Sequence, residues 1–326
     1  MSAKQAQFLD AEAIRARLPW PAVLSALDEA LRGDVQAPLR ASHTIAVPDQ
    51  PAATLLMMPA WRGGRSIGVK LVTVFPGNAD RGKRSVSALY ALFDARDGVP
   101  LALLDGEELT ARRTAGASAY AAARLARRDA RSLVMVGAGR IGRELIDAHR
   151  SIRSLEQISV WSRTATHAEA TAAECARAGI PARACTDLEA AVAAADIVSC
   201  ATLSTVPLVL GRWLKPGVHL DLVGAFKKDM RETDAAALQR ADLIVVDDRT
   251  AALAEGGDIV QAIATGAIDA SRIAAEPRDF ARGAHPGRTR EEQITVFKSV
   301  GFALEDLATA EAAIRAGRAD SSPQAR

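Results

Sequence analysis

The chain has 326 residues, 49% of them hydrophobic and 25% charged, which excludes a disordered chain and points to two domains at about 100–200 residues each. Lys and Arg number 41 and Asp and Glu 39, a net charge of +2, too balanced for bulk-charge binding to nucleic acid or a membrane surface. There is no uncharged apolar run of about 18 residues and no hydrophobic leader, and Cys175, Cys185 and Cys200 form no CxxC, so the sequence reads as cytoplasmic, without disulfide framework or structural zinc.

Asp10–Gly33 reads as one helix, with Asp10 as N-cap and Gly33 just past its end. Four segments rich in β-formers follow: Ser42–Val47, Ala53–Pro59, Ser66–Phe75 and Ser85–Asp94. Gly-, Pro- and Asn-bearing turns separate them, as hairpins require. Leu109–Arg128 reads as a long Ala-rich helix. From Arg131 the texture changes. Short apolar runs (Leu133–Val136, Ile158–Trp161, Ala182–Thr186, Asp196–Thr202, Val218–Val223, Leu243–Asp247) alternate with helical patterns. That alternation predicts a doubly wound parallel sheet. After Glu291, the apolar positions Ile294, Phe297, Val300, Phe302, Leu304 and Leu307 suggest a helix returning to the first domain, ahead of a polar tail, Gly317–Arg326, that frays. The fold class expected is α/β: a Rossmann doubly wound parallel sheet over 129–292, plus a discontinuous α+β domain over 1–128 and 293–326.

Gly137-Ala138-Gly139-Arg140-Ile141-Gly142 is a complete G-x-G-x-x-G. It directly follows the apolar run Leu133–Val136 and opens a helix, the context that makes the motif specific. The first glycine permits the tight turn and the second lets the backbone approach a pyrophosphate. The third lets helix and strand pack closely, with the helix N-terminus facing the phosphates. The second strand ends in Ser162-Arg163-Thr164, with no carboxylate for a ribose 2′-hydroxyl. Arg163 suits a 2′-phosphate, and Ser162 and Thr164 can donate to it, so NADP(H) is the preferred cofactor and NAD(H) the other choice. The plainer reading makes Arg163 a solvated charge. Thr202, Val223 and Gly224 fall at the carboxyl edge of the sheet, where doubly wound folds bind ligands. Thr202 suits the nicotinamide ribose or pyrophosphate, and Gly224 permits close approach of the ring. Cys200 reads as a small buried apolar residue rather than a nucleophile. The five histidines show no metal-ligand spacing.

Three cations of the first domain stand out. Lys70 lies inside the apolar run Ile67–Val72, where a charge is costly unless paired, so it either meets a structural carboxylate or awaits an anionic ligand. Arg40 and Arg113 by themselves read as surface charges.

Taken together, Gly68-Val69-Lys70, Ser85–Ala88 with Leu92–Asp94, Leu109–Ala115, the glycine loop, Val223–Glu232 and Thr295–Gly301 resemble the ornithine cyclodeaminase/mu-crystallin family. The resemblance covers nearly the whole chain. It implies a homodimer, and a substrate carboxylate held by Arg40, Lys70 and Arg113. It also implies that Ser85 touches cofactor or substrate and that Ser299 and Val300 border the nicotinamide and the substrate pocket. Cyclodeaminases of the family carry an Asp, which engages the ornithine amine, where this chain has Phe226. Phe can neither pair with an ammonium nor move a proton. With the missing carboxylate after the second strand, this points to the branch that reduces Δ1-pyrroline-2-carboxylate and Δ1-piperideine-2-carboxylate. There Lys70 and Arg113 are the catalytic candidates, Phe226 lines the ring pocket, and the partner is a small cyclic imino acid. Ornithine cyclodeaminase, alanine dehydrogenase and a non-catalytic NADPH-dependent binding protein are the alternatives.

Overall fold

A computed structural model describes residues 6–320. The first elements are β1 (Gln7–Leu9), α1 (Ala11–Arg17), α2 (Trp20–Arg32), β2 (Ala41–Ile45), β3 (Ala53–Arg62), β4 (Ser66–Val74), β5 (Val86–Asp94), β6 (Pro100–Asp105) and α3 (Gly106–Leu125). Next come β7 (Ser132–Val136), α4 (Arg140–Arg150), β8 (Gln157–Trp161), α5 (Ala165–Arg177), β9 (Ala182–Ala184), α6 (Leu188–Ala194) and β10 (Ile197–Cys200). The chain continues through β11 (His219–Leu222), α7 (Ala235–Arg240), β12 (Leu243–Val246), α8 (Arg249–Glu255), α9 (Gly257–Ala264), β13 (Ile273–Ala275) and α10 (Pro277–Ala281). It ends with β14 (Thr295–Lys298) and α11 (Ala303–Asp320).

The chain divides into two units. One holds the residues up to Arg113 and those from Ala303 on, the other Thr114–Phe302. The divisions fall inside α3 and just ahead of α11, against the expected 128/129 and 292/293. In the first unit six strands run β1-β6-β5-β4-β3-β2, antiparallel apart from the β1–β6 pair. One face is packed by α11. Tyr90, Lys70, Met58 and Leu104 lie on it in register, all buried, and Leu307 of α11 reaches Gly68. Gly68 is required there, because an added Cβ would fall 1.9 Å from the Tyr90 hydroxyl.

The second unit is an eight-stranded, all-parallel sheet ordered β13-β12-β14-β11-β10-β7-β8-β9, the doubly wound arrangement expected. β7 pairs with β8 on one side and β10 on the other, so the strand order reverses at β7. Ligands of such sheets bind at that reversal, beyond the carboxyl ends of the strands.

Three expectations need correction. The helix over Asp10–Gly33 is two helices. Asp10 caps α1 by accepting from the Ala13 amide at 2.9 Å, but Pro19 cannot continue an α-helix and restarts the chain as the N-cap of α2. The long helix runs from Gly106 to Leu125, not Leu109–Arg128, and is preceded by a further strand, β6, which follows the Asp97-Gly98 turn. The segment after Glu291 is not a continuous helix. Thr295–Lys298 is a strand buried on both faces between β11 and β12, and such strands read as unbroken apolar runs. The chain then turns at Gly301, φ +89°, into α11, which runs to Asp320 through the first part of the tail expected to fray. The rest of that tail lies outside the described residues.

Candidate active site

The glycine loop joins β7 to α4. Gly137 sits at φ +120°, with the carbonyl oxygen of Ala201 2.6 Å from where a Cβ would lie. Gly142 packs against β7, and an added Cβ would meet the Gly137 carbonyl oxygen at 2.4 Å. Gly139 has no atom within 4 Å of its Cβ position, which leaves backbone room for a ligand. It is also the N-cap of α4 and brings no side chain to cap the helix. A helix start of this kind, with no side chain as cap, suits a diphosphate. Ala138 is tied down by its carbonyl, which accepts from Thr171 Oγ1 at 3.0 Å. Arg140 is exposed and Ile141 half-buried at the head of α4.

Ser162, Arg163 and Thr164 follow β8. Arg163 and Thr164 are exposed and Ser162 half-buried. The Thr164 hydroxyl does not cap α5, although Thr164 is the N-cap residue.

At the other loops, buried carboxylates that the sequence reading did not single out organise the edge. Glu232 accepts from the Thr202 amide at 2.6 Å, the Thr202 hydroxyl at 2.9 Å and the Gly224 amide at 2.6 Å. The proton of the Thr202 hydroxyl is thus spent inside the protein. Gly224 is needed for packing, since a Cβ would meet Thr202 O at 1.9 Å and Glu232 Oε1 at 2.5 Å. Val223, also buried, donates its amide to Cys200 O at 2.9 Å. Asp258 in turn accepts the amides of Glu232 (2.8 Å) and Thr233 (3.0 Å), and Lys298 Nζ lies 3.2 Å from its other oxygen. Burial, and then the neighbouring Asp258, push the Glu232 carboxyl up to about 7, although Lys298 and the backbone donors pull it down. Asp247, at the end of β12, accepts from the Ser299 hydroxyl (3.1 Å) and the amides of Val300 (2.8 Å) and Gly301 (2.7 Å). It fixes the two residues that the resemblance places beside the nicotinamide. The Asp-Asp pair closing the β12 apolar run was the one legible signal for it. Phe226 is half-buried two residues past Gly224, and Asp229 is exposed.

In the first unit the fold brings the three cations together. Lys70 Nζ lies 2.9 and 2.8 Å from the two oxygens of Asp306. Arg113 donates through Nε to Asp306 at 3.0 Å and through Nη1 to Glu305 at 2.9 Å. All four groups are buried. Arg40 is half-buried and near enough for its charge to act on Lys70. Burial lowers the Lys70 ammonium to about 8, with help from Arg113 and Arg40 and against the pull of Asp306. Lys70 therefore does have a structural carboxylate. Lys70, Arg113 and Arg40 thus converge on one place in the unit, with Asp306 and Glu305 holding the first two. Ser85, at the head of β5, is half-buried and accepts the Phe75 amide through its carbonyl at 2.7 Å.

The geometry defines a dinucleotide-binding Rossmann unit and a second unit carrying a buried cation cluster. The ornithine cyclodeaminase/mu-crystallin family model matches residues 6–317, and the chain belongs to that family. A Δ1-pyrroline-2-carboxylate reductase of Paracoccus denitrificans is 40% identical over 258 residues, 79% of this chain and 81% of that protein. The solved Δ1-pyrroline-2-carboxylate reductase of Thermococcus litoralis, in complex with NADH and L-proline, superposes with a TM-score of 0.89 at 31% identity, covering 96% of this chain and 98% of the other. An archaeal alanine dehydrogenase dimer with bound NAD gives 0.88 at 28% identity, covering 97% of each chain.

Proposed function

We propose that this protein is an NAD(P)H-dependent reductase of cyclic ketimine carboxylates, converting Δ1-pyrroline-2-carboxylate to L-proline and Δ1-piperideine-2-carboxylate to L-pipecolate. The observations that carry the reading are an open glycine loop suited to a dinucleotide in one unit and, in the other, the convergence of Lys70, Arg113 and Arg40, suited to a carboxylate. The relatives named for the same reaction, one with NADH and L-proline bound, support it.

The reduced nicotinamide supplies the hydride, which goes to C2 of the imine. The protein's part is binding and orientation. Arg113 and Arg40 hold the substrate carboxylate, and Lys70, held by Asp306, adds a third positive charge. The imine nitrogen is basic enough to arrive protonated, so hydride transfer yields the secondary amine without a carboxylic acid at the nitrogen. Phe226 stands where a cyclodeaminase has its Asp and gives the ring an apolar wall. Positioning of this kind is worth about 7–11 kcal/mol when the reacting atoms are well oriented.

NADP(H) is the preferred cofactor in this reading. Arg163 is exposed beside Ser162 and Thr164, and no carboxylate stands at the end of β8 to repel a 2′-phosphate. The protein is further read as a homodimer. The face of the six-stranded sheet away from α11 presents Phe8, Leu103, Leu71 and Ile45, which are 37–63% exposed. Exposed apolar side chains on one face of a sheet suit an interface between copies. A cytoplasmic location fits three free cysteines, and among the described residues no helix is long and apolar enough to cross a membrane.

The test follows absorbance of the reduced nicotinamide with each cyclic imine, using NADPH and NADH in parallel and ornithine plus NAD as control. Imine-dependent loss of NADPH is the expected result. Ammonia release from ornithine, with no loss on either imine, would overturn the reading in favour of a cyclodeaminase. Oxidation of NADH that needs pyruvate and ammonia would favour an alanine dehydrogenase. Tight NADPH binding without turnover of any imine would favour a binding protein.

A further inference from the structure

Glu232 is an expensive residue for this position. It is fully buried, and burial disfavours its charged form, yet three donors converge on its two oxygens. The donors come from two different loops, Thr202 after β10 and Gly224 after β11. Both loops press on the dinucleotide loop or on each other. Ala201 O lies 2.6 Å and Thr202 Cγ2 3.3 Å from the Cβ position of Gly137, the first glycine of the motif. Thr202 O lies 1.9 Å from the Cβ position of Gly224. A neutral polar group could fill the space at lower desolvation cost, but it could not accept from all three donors. A proton placed on Oε2 would face the Gly224 amide, donor against donor, and one placed on Oε1 would turn the Thr202 hydroxyl from donor to acceptor.

We propose that Glu232 is a positioning residue for the nicotinamide cofactor: as a carboxylate it locks the loops after β10 and β11 behind the glycine loop, and when protonated it releases one of them. The proposal rests on the cofactor-binding reading above. The groups facing Glu232 are Lys298 at the end of β14, Asp258 in α9 and the Cys200 thiol at the end of β10. Two carboxylates share one ammonium, so the group is one proton short of neutrality. The loss or gain of that proton falls near pH 7. Cofactor affinity is thereby coupled to pH through a residue whose two oxygens are engaged by the protein's own donors.

The experiment is a fluorescence titration of the wild-type protein with NADPH and NADH, without substrate, from pH 6 to pH 8.5. If only the charged form is competent, Kd weakens about tenfold between pH 8 and pH 6. Glu232→Gln presents an amide N–H to one of the donors. Its affinity is expected to be weak throughout the range and flat with pH, with kcat at saturating cofactor changed far less than KM for cofactor. Urea unfolding at each pH separates this from general loss of structure, because a merely stabilising residue would lower unfolding midpoints and leave the slope of Kd against pH intact. A flat wild-type Kd overturns the proposal, as does a folded Glu232→Gln protein with the wild-type pH slope. If that variant does not fold, the wild-type profile decides alone. Absence of any cofactor binding would instead overturn the reading on which the proposal rests, and the proposal with it.

Discussion

Asp306 meets Lys70 with both carboxylate oxygens, 2.9 and 2.8 Å from Nζ, and one of the same oxygens takes Arg113 Nε at 3.0 Å. A single buried carboxylate thus holds two of the three cations assigned to the substrate. Its charge is also what keeps the Lys70 ammonium from falling below about 8. The rate constant kcat/KM is therefore expected to decline as pH rises above about 8, where Lys70 loses its proton. Asp306→Asn should move that alkaline limb to lower pH. It should also cost about 3–5 kcal/mol in urea unfolding, the penalty for breaking a buried pair. An alkaline limb that stays in place in this variant would detach Lys70 from the rate.

The same shift has a stability consequence. The folded-state value of Lys70 lies below its ordinary 10.5, so the unfolded chain binds the extra proton between about 8 and 10.5. Below pH 8 the cost of burying the ammonium is fully present. Stability from this group should rise as pH increases through that window, by about 1.4 kcal/mol per pH unit at most. Lys70→Met should abolish the rise, which urea melts at pH 8, 9 and 10 would show.

Arg113 is the residue through which binding and stability are both expected to fail. Arg113→Ala leaves Glu305 and Asp306 without its two hydrogen bonds in a buried place. A loss of about 2–5 kcal/mol, or roughly 30- to 5,000-fold in kcat/KM, is expected for a truncated buried charge contact. Steady-state kinetics on Δ1-pyrroline-2-carboxylate measures it, and near-normal kcat/KM would remove Arg113 from the carboxylate clamp.

The glycines of the dinucleotide loop should separate by mechanism. Gly139→Ala meets nothing within 4 Å, so stability should change by no more than about 0.5 kcal/mol while cofactor affinity falls. Gly142→Ala drives a methyl into the Gly137 carbonyl, so it should lower the melting temperature as well as the affinity. Thermal melts with and without NADPH distinguish the two.

Arg163 tests cofactor choice. It is exposed, so Arg163→Ala should leave the fold unchanged. NADPH binding should weaken by about 1.5–3 kcal/mol, the worth of a hydrogen bond to a charged group, and NADH binding should hardly move. Equal effects on both cofactors would make Arg163 the solvated charge of the plainer reading.

The glycine loop, the strands beside it and the cations of the first unit were legible because each is a local pattern or a local anomaly. A glycine triplet after an apolar run, or a lysine inside one, declares itself within a few residues. The carboxylates did not. Asp306 and Glu305 lie in an Ala-rich helix, where acidic residues ordinarily face solvent, and their partners Lys70 and Arg113 are some two hundred positions earlier. Glu232 and Asp258 are likewise brought to Thr202 and Lys298 only by the sheet. The misread strand Thr295–Lys298 failed for a related reason. Buried on both faces, it lacks the alternation that separates strand from helix.

That strand also dictates the order in which the molecule can be completed. β14 lies between β11 and β12, so β12 and β13 have no link to the other five strands until Thr295–Lys298 has been made. α11, which covers the six-stranded sheet and carries Asp306, comes later still. On the ribosome neither unit can close until the last of these segments has left the exit tunnel, so both should consolidate late in synthesis rather than one after the other. A chain stopped before residue 295 would expose one sheet without its α11 cover and another split in two, a substrate for chaperones and proteases rather than a smaller working domain.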